Sequence, residues 1–142
     1  MKCDTACGGI KKAEQEFLFV YGTLRLQAGR AMGRWLARHA DYVGNGTLRG
    51  RLYLVTDYPG CVASRDPQDC VRGEVYRLRY PAAILARLDD YEGYGPRFPT
   101  PNEFIRSRQH VRLASTAIIT AWTYLYNLPV DTLPRIDSGD FP

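Results

Sequence analysis

FLFVYGTLR, residues 17–25, opens with five almost wholly apolar residues and then breaks into Gly-Thr. A short continuous apolar run of this kind marks a buried central strand. Phe17–Tyr21 is therefore expected to be that strand, with Tyr21 its last residue. Gly22 tolerates positive φ and a close backbone approach. The amide N–H groups of residues 22–25, Arg25 included, can form a concave anion site that holds a ligand carboxylate. Strand–glycine–turn junctions are common without a ligand, so a second feature has to decide.

Outward from this strand the chain alternates between extended and helical patterns. Met32, Trp35 and Leu36 recur at helical spacing, which predicts a short amphipathic helix over 29–39. Residues 42–55 read as one extended segment, bent or bulged at Gly44, Gly46 and Gly50. A turn at 56–60 follows, then an alternating, half-buried strand at 70–78. Pro81 is placed to open a second helix and Gly93 to cap it. A Pro-rich loop and a hairpin, 104–113 with 117–127, complete the pattern. Mostly sequential strands with few helices predict an α+β fold: a mixed, mostly antiparallel sheet curled into a pseudo-barrel with two short helices.

The chain has 142 residues, the size of one domain. We expect a disordered tail over 1–16 and a single domain over 17–142. No signal-like apolar stretch or long apolar run occurs, so the reading is soluble and cytoplasmic, with no membrane partner. Ten Tyr, against five Phe and two Trp, suit the wall of a small-molecule pocket. Cys3 and Cys7 lie in the tail, and Cys61 and Cys70 flank VASRDPQD. Neither spacing is that of a structural zinc site, so no metal or other cofactor is expected, and Cys61 and Cys70 read as free, partly buried thiols. His39 and His110 are unclustered and read as structural or exposed.

The net charge is +4. All three Lys fall in the first twelve residues, and Arg recurs at spacing two in the pairs Arg49/Arg51, Arg77/Arg79 and Arg106/Arg108. Such pairs share one strand face. They read as a solvated outer face; the competing reading is a phosphate-contacting barrel. Interspersed acids (Glu74, Asp89, Asp90, Glu92, Glu103) argue against a nucleic-acid partner.

The second feature is LDDYEGY, residues 88–94. On a wheel of about 100° per residue, Ile84, Leu85 and Leu88 define an apolar stripe. Tyr91 and Glu92 fall within roughly 60° of its centre, Asp89 at its boundary and Asp90 nearly opposite. Glu92 is thus an inward-facing carboxylate at the negative end of a helix dipole. Burial, the dipole and the adjacent acids all raise its pKa, which makes a better general base. The bland alternative is a structural pair with Arg97 or Arg106.

Seven pieces in order now resemble the gamma-glutamyl cyclotransferase-like family: FVYGTLR (19–25), GRLYLVTDYPG (50–60), VRGEVYRL (71–78), LDDYEGY (88–94), FIR (104–106), AWTYLY (121–126) and IDSGDF (136–141). The resemblance implies a pseudo-barrel with its pocket at one end. It implicates Tyr21, Gly22, Thr23 and Leu24 in substrate binding and Glu92 as the proton acceptor. Relatives often carry Tyr at the position of Phe104 and Trp at that of Phe141, so one hydroxyl contact is missing here. The long loop GYGPRFPTPN is expected over the pocket mouth.

The implied substrate is a small γ-glutamyl amide or amine. Its α-amine attacks its own δ-carbonyl, closes 5-oxoproline and releases the linked amine. No covalent nucleophile or metal is required, because both reacting groups sit in one molecule. Moving a proton from an α-ammonium to an ordinary Glu is uphill by about 5 kcal/mol, so the base has to be one with a raised pKa. Tyr53, Tyr58 and Tyr124 are candidate pocket walls, Tyr124 chief among them, and the protein is expected as a monomer or weak dimer. The alternative is a non-catalytic binder of an amino-acid-like ligand with the same fold.

Overall fold

A computed structural model describes residues 15–142. The expected tail, with Cys3, Cys7 and the three Lys, lies outside the described residues except for its end. Glu16 belongs to the domain: its carbonyl accepts from the Leu78 N–H at 2.9 Å, and its carboxylate accepts from the Trp122 indole at 2.7 Å. The ladder started by the first strand simply runs one residue further back.

The strands are β1 (Phe17–Val20), β2 (Ala40–Leu48), β3 (Gly50–Leu54), β4 (Pro59–Ala63), β5 (Val71–Leu78), β6 (Phe104–Leu113) and β7 (Ile118–Tyr126). The α-helices are α1 (Ala31–His39) and α2 (Pro81–Glu92), and a single 3-10 turn spans Leu26–Ala28. Five strands close a barrel in the order β1-β5-β2-β6-β7. Neighbours are antiparallel except for the closing pair, where β1 meets β7 in parallel at Leu18 and Trp122. Closure leaves these strands without the free edges that invite aggregation.

β1 is apolar throughout because both its faces are covered. Leu18 and Val20 pack with Leu36 of α1 and with Ile84, Leu85 and Leu88 of α2. Phe19 and Tyr21 point the other way, among Val71, Val75, Val111 and Ala121. Leu88 is fully buried and Ile84 nearly so, each stabilising the docking of α2 by about 1.5–3 kcal/mol.

Two expectations are corrected. Residues 42–55 are not one bent strand. β2 runs in the barrel, with a bulge at Tyr42/Gly44, and ends at Leu48. β3 then pairs with β4 in a separate two-stranded sheet. Gly50 permits this redirection, since a Cβ there would lie 2.8 Å from the Val62 carbonyl oxygen. The turn expected over 56–60 is shorter, and Pro59–Ala63 is a strand whose first residue is the Pro, a position where a missing N–H is tolerated. Both described cysteines are free, Cys61 buried and Cys70 exposed.

Candidate functional site

A cleft of about 40 Å³ opens where β1 ends, lined by Phe19 to Leu24, Tyr58, Pro59, Glu92, Phe104 and Tyr124. Three elements converge there because of local chemistry. The chain leaves β1 through a turn closed by the Arg25 N–H on the Gly22 carbonyl, 3.0 Å. Gly22 is required for a close approach rather than a positive φ: a Cβ would lie 2.7 Å from Cγ of Pro59. The turn spends the Arg25 N–H. Among the described residues, the N–H groups of Gly22, Thr23 and Leu24 find no acceptor. Three consecutive free donors therefore border the cleft, one fewer than the sequence suggested.

α2 delivers the carboxylate. Pro81 stands in its first turn, and Gly93 ends it at φ 72°, its N–H donating to the carbonyls of Asp89 and Asp90. Glu92 lies four residues beyond the buried Leu88, hence on the same face. It is half-buried and lines the cleft. No hydrogen bond or ion pair reaches its carboxylate among the described residues. The two candidate arginines are taken: Arg106 grips Asp89 through Nε at 2.7 Å and Nη2 at 3.1 Å, and Arg97 pairs with Asp90. Burial, with Glu103 adding like charge, pushes the Glu92 carboxyl up to about 8. The like charge comes from across the cleft wall, not from the adjacent Asp89 and Asp90.

The walls are fixed by buried hydroxyls. Tyr21 donates to the Tyr124 carbonyl at 2.6 Å and accepts from the Cys61 N–H at 3.1 Å. Burial, Cys61 and Glu92 all raise its pKa. Tyr124 donates to Asp89 Oδ1 at 2.7 Å, which ties β7 to α2 directly beside Glu92. Tyr58 donates to Glu103, and burial with that carboxylate raises its pKa to about 12. Thr23 Oγ1 and the Tyr91 hydroxyl share a hydrogen bond of 3.2 Å at the rim.

Of the expected site residues, Tyr21, Gly22, Thr23, Leu24, Glu92 and Tyr124 meet at one cleft. Arg25 does not line it. Its guanidinium turns away to Asp140 at 2.7 Å, the Phe141 carbonyl at 3.3 Å and Glu74 at 3.7 Å. Tyr53 is also elsewhere, bridged to Arg135. Phe104 lines the cleft, while Phe141 packs on the far core. The loop expected over the mouth contributes no lining residue; Asn102 closes it on itself through Gly95 and Pro99. Pro59 and Glu103 were missed as site residues, since nothing local in the sequence marks either. Among the described residues, no three His, Cys, Asp or Glu side chains gather as a metal cluster would require, and no helix is long and apolar enough to cross a membrane.

Comparison with known proteins fits this geometry. The family model described as "Gamma-glutamyl cyclotransferase, AIG2-like" matches residues 18–142. The "Gamma-glutamylcyclotransferase family protein YtfP" of Escherichia coli is 35% identical over 125 residues, covering 87% of this chain and 94% of the relative. The solution structure of ytfP from that organism superposes with a TM-score of 0.57 at 34% identity, over 87% of this chain and 94% of that one. The crystal structure of an AIG2-like protein from Mus musculus gives a TM-score of 0.67 at 21% identity, over 87% and 86% of the two chains. The chain belongs to the gamma-glutamyl cyclotransferase, AIG2-like family.

Proposed function

We propose that this protein cyclises a small γ-glutamyl amide or γ-glutamylamine to 5-oxoproline. The observation that carries the reading is the Glu92 carboxylate, set in the cleft wall without a partner among the described residues and pushed up to about 8. That value lies next to the range of an α-ammonium, about 7.7–8.0, so proton transfer between them is nearly level. Glu92 takes one proton from the substrate's α-ammonium. The freed amine attacks the δ-carbonyl, the new C–N bond closes the five-membered ring, and the old C–N bond breaks. The attacking nitrogen gives up a second proton as the old bond breaks. Both protons, the one held by Glu92 included, leave on the departing nitrogen as an ammonium, so the carboxylate is regenerated.

The free N–H groups at 22–24 face the negative charges in this scheme, either the substrate's α-carboxylate or the oxyanion forming on the δ-carbonyl. The buried hydroxyl pairs keep the walls rigid, which favours one folded substrate conformer. The test is 5-oxoproline release from a panel of γ-glutamyl amides, wild type against Glu92→Gln. The variant keeps shape but cannot accept the proton, so turnover should fall by about 10²–10⁴ with binding nearly intact. Near-normal turnover in the variant removes Glu92 as the base. Binding without turnover by the wild type leaves the non-catalytic reading of the same cleft.

A further inference from the structure

β6 carries the cleft at its first residue, Phe104, and a second, larger groove at its other end. That groove has a volume of about 750 Å³ and includes Thr47, Arg49, Asp69, Cys70, His110 and Arg112 in its lining. Along the strand the two sites stand up to about 26 Å apart. Nothing in the reaction above uses the groove.

Its charge is set by which arginines already have partners. Arg77 and Arg79 both bind Asp41, Arg106 binds Asp89, and Arg108 reaches Glu16 at 3.5 Å. Asp69, the only acid in the groove lining, is held by Ser64 at 2.6 Å, Arg135 at 2.9 Å and Arg51 at 3.7 Å, contacts that lower its pKa. Arg49 has no side-chain hydrogen bond or ion pair among the described residues, and neither has Arg72. Arg112 has one weak contact, to the Thr116 carbonyl at 3.4 Å.

Strand register brings these cations together. Thr47 on β2 is paired with Arg72 on β5 and with Arg112 on β6. Directly paired residues share a face, and the neighbours Gly46, Leu48, Val71 and Val111 are buried inside, so this row points outward. Arg72 and Arg112 therefore flank Thr47 from either side, with backbones about 10 Å apart. Arg49 stands two residues beyond Thr47. Arg112 of β6 and Arg49, just past the end of β2, line the groove beside the Thr47 hydroxyl, with the His110 ring on the next outward position of β6 and Arg72 of β5 on the other side of Thr47.

We propose that this groove binds the phosphate group of a small phosphorylated molecule. Forked donors approaching from several sides suit a tetrahedral dianion better than a planar carboxylate. The volume leaves room for an organic body, against an apolar wall formed by Pro67 and Ile118.

Calorimetric titration at about 0.1 M salt tests this with inorganic phosphate, adenosine monophosphate, citrate and a short single-stranded DNA. Phosphate and the nucleotide should bind one site competitively, citrate more weakly. Arg49→Gln with Arg112→Gln should weaken the nucleotide by about tenfold or more. Melting temperature and turnover of γ-glutamyl amides should not change, because neither arginine touches the cleft. The proposal is overturned by the absence of saturable phosphate and nucleotide binding, by equal affinity in the double variant, or by citrate binding as tightly as phosphate. DNA binding without nucleotide binding overturns it as well, making the face a general polyanion surface.

Discussion

At the residue scale, Glu92 differs from its neighbours in what surrounds it rather than in what it is. Asp89 and Asp90 each have an arginine, and Glu92 has desolvating walls and Glu103. That difference makes stability depend on pH in a defined direction. An unfolded Glu92 releases its proton near 4.5, and the folded one holds it to about 8. Between those values the native state binds more protons than the unfolded state, so stability falls as pH rises and levels off above 8. A fully realised shift would remove about 5 kcal/mol, and contact with water at the cleft reduces the expected loss to about 2 kcal/mol. Glu92→Gln carries no such proton. Its melting temperature should match that of the wild type near pH 4.5 and exceed it by about 6 °C at pH 9. A gap that stays constant with pH, or widens toward acid, would show that the carboxyl is not held protonated by the fold.

At the element scale, α2 is what turns a line of residues into a site. Its apolar stripe seats the helix, and the same 3.6-residue period then sends Glu92 inward, Asp90 outward and Asp89 to the boundary. All three placements were legible, as were the Pro81 start and the Gly93 cap. Tyr91 was not: the wheel turns it toward the stripe, yet it is 44% exposed. Its ring lies at the rim instead, where its hydroxyl meets Thr23. The pairing of Asp89 with Arg106 joins residues 17 positions apart, and helical periodicity says nothing about such contacts. β4 was hidden because Pro59 and Gly60 carry turn signals, whereas both serve close packing here: a Cβ on Gly60 would lie 2.7 Å from Tyr126. If the stripe holds the helix, Leu88→Ala should destabilise the protein by about 2–5 kcal/mol, read as a lower urea midpoint at unchanged slope. A loss below about 1 kcal/mol would mean that α2 is held mainly by the Asp89 clamp.

At the scale of the whole molecule, strands could be read from the sequence but their order could not. The closing contact joins Leu18 to Trp122, and nothing local in either segment announces a parallel partner so far along the chain. The same holds for the last residues, which return across the barrel and bind its parts to each other. Leu54 N–H donates to the Pro134 carbonyl, Ile136 N–H to Leu52, and Arg72 N–H to Gly139, at 2.9, 2.7 and 2.8 Å. Asp140 completes this wrap through Arg25, whose side chain is buried just beyond the turn that follows β1. The other acid near Arg25 is Glu74 at 3.7 Å, and its Nε has no hydrogen-bond partner. Removing Asp140 therefore leaves a poorly compensated buried cation. Asp140→Ala should destabilise by about 1–3 kcal/mol in urea. Turnover and KM for a γ-glutamyl amide should stay within about threefold, because the guanidinium acts on the fold and not on substrate. A KM raised about tenfold at unchanged stability would instead place Arg25 in contact with the ligand, and the wrap would then belong to the binding site itself.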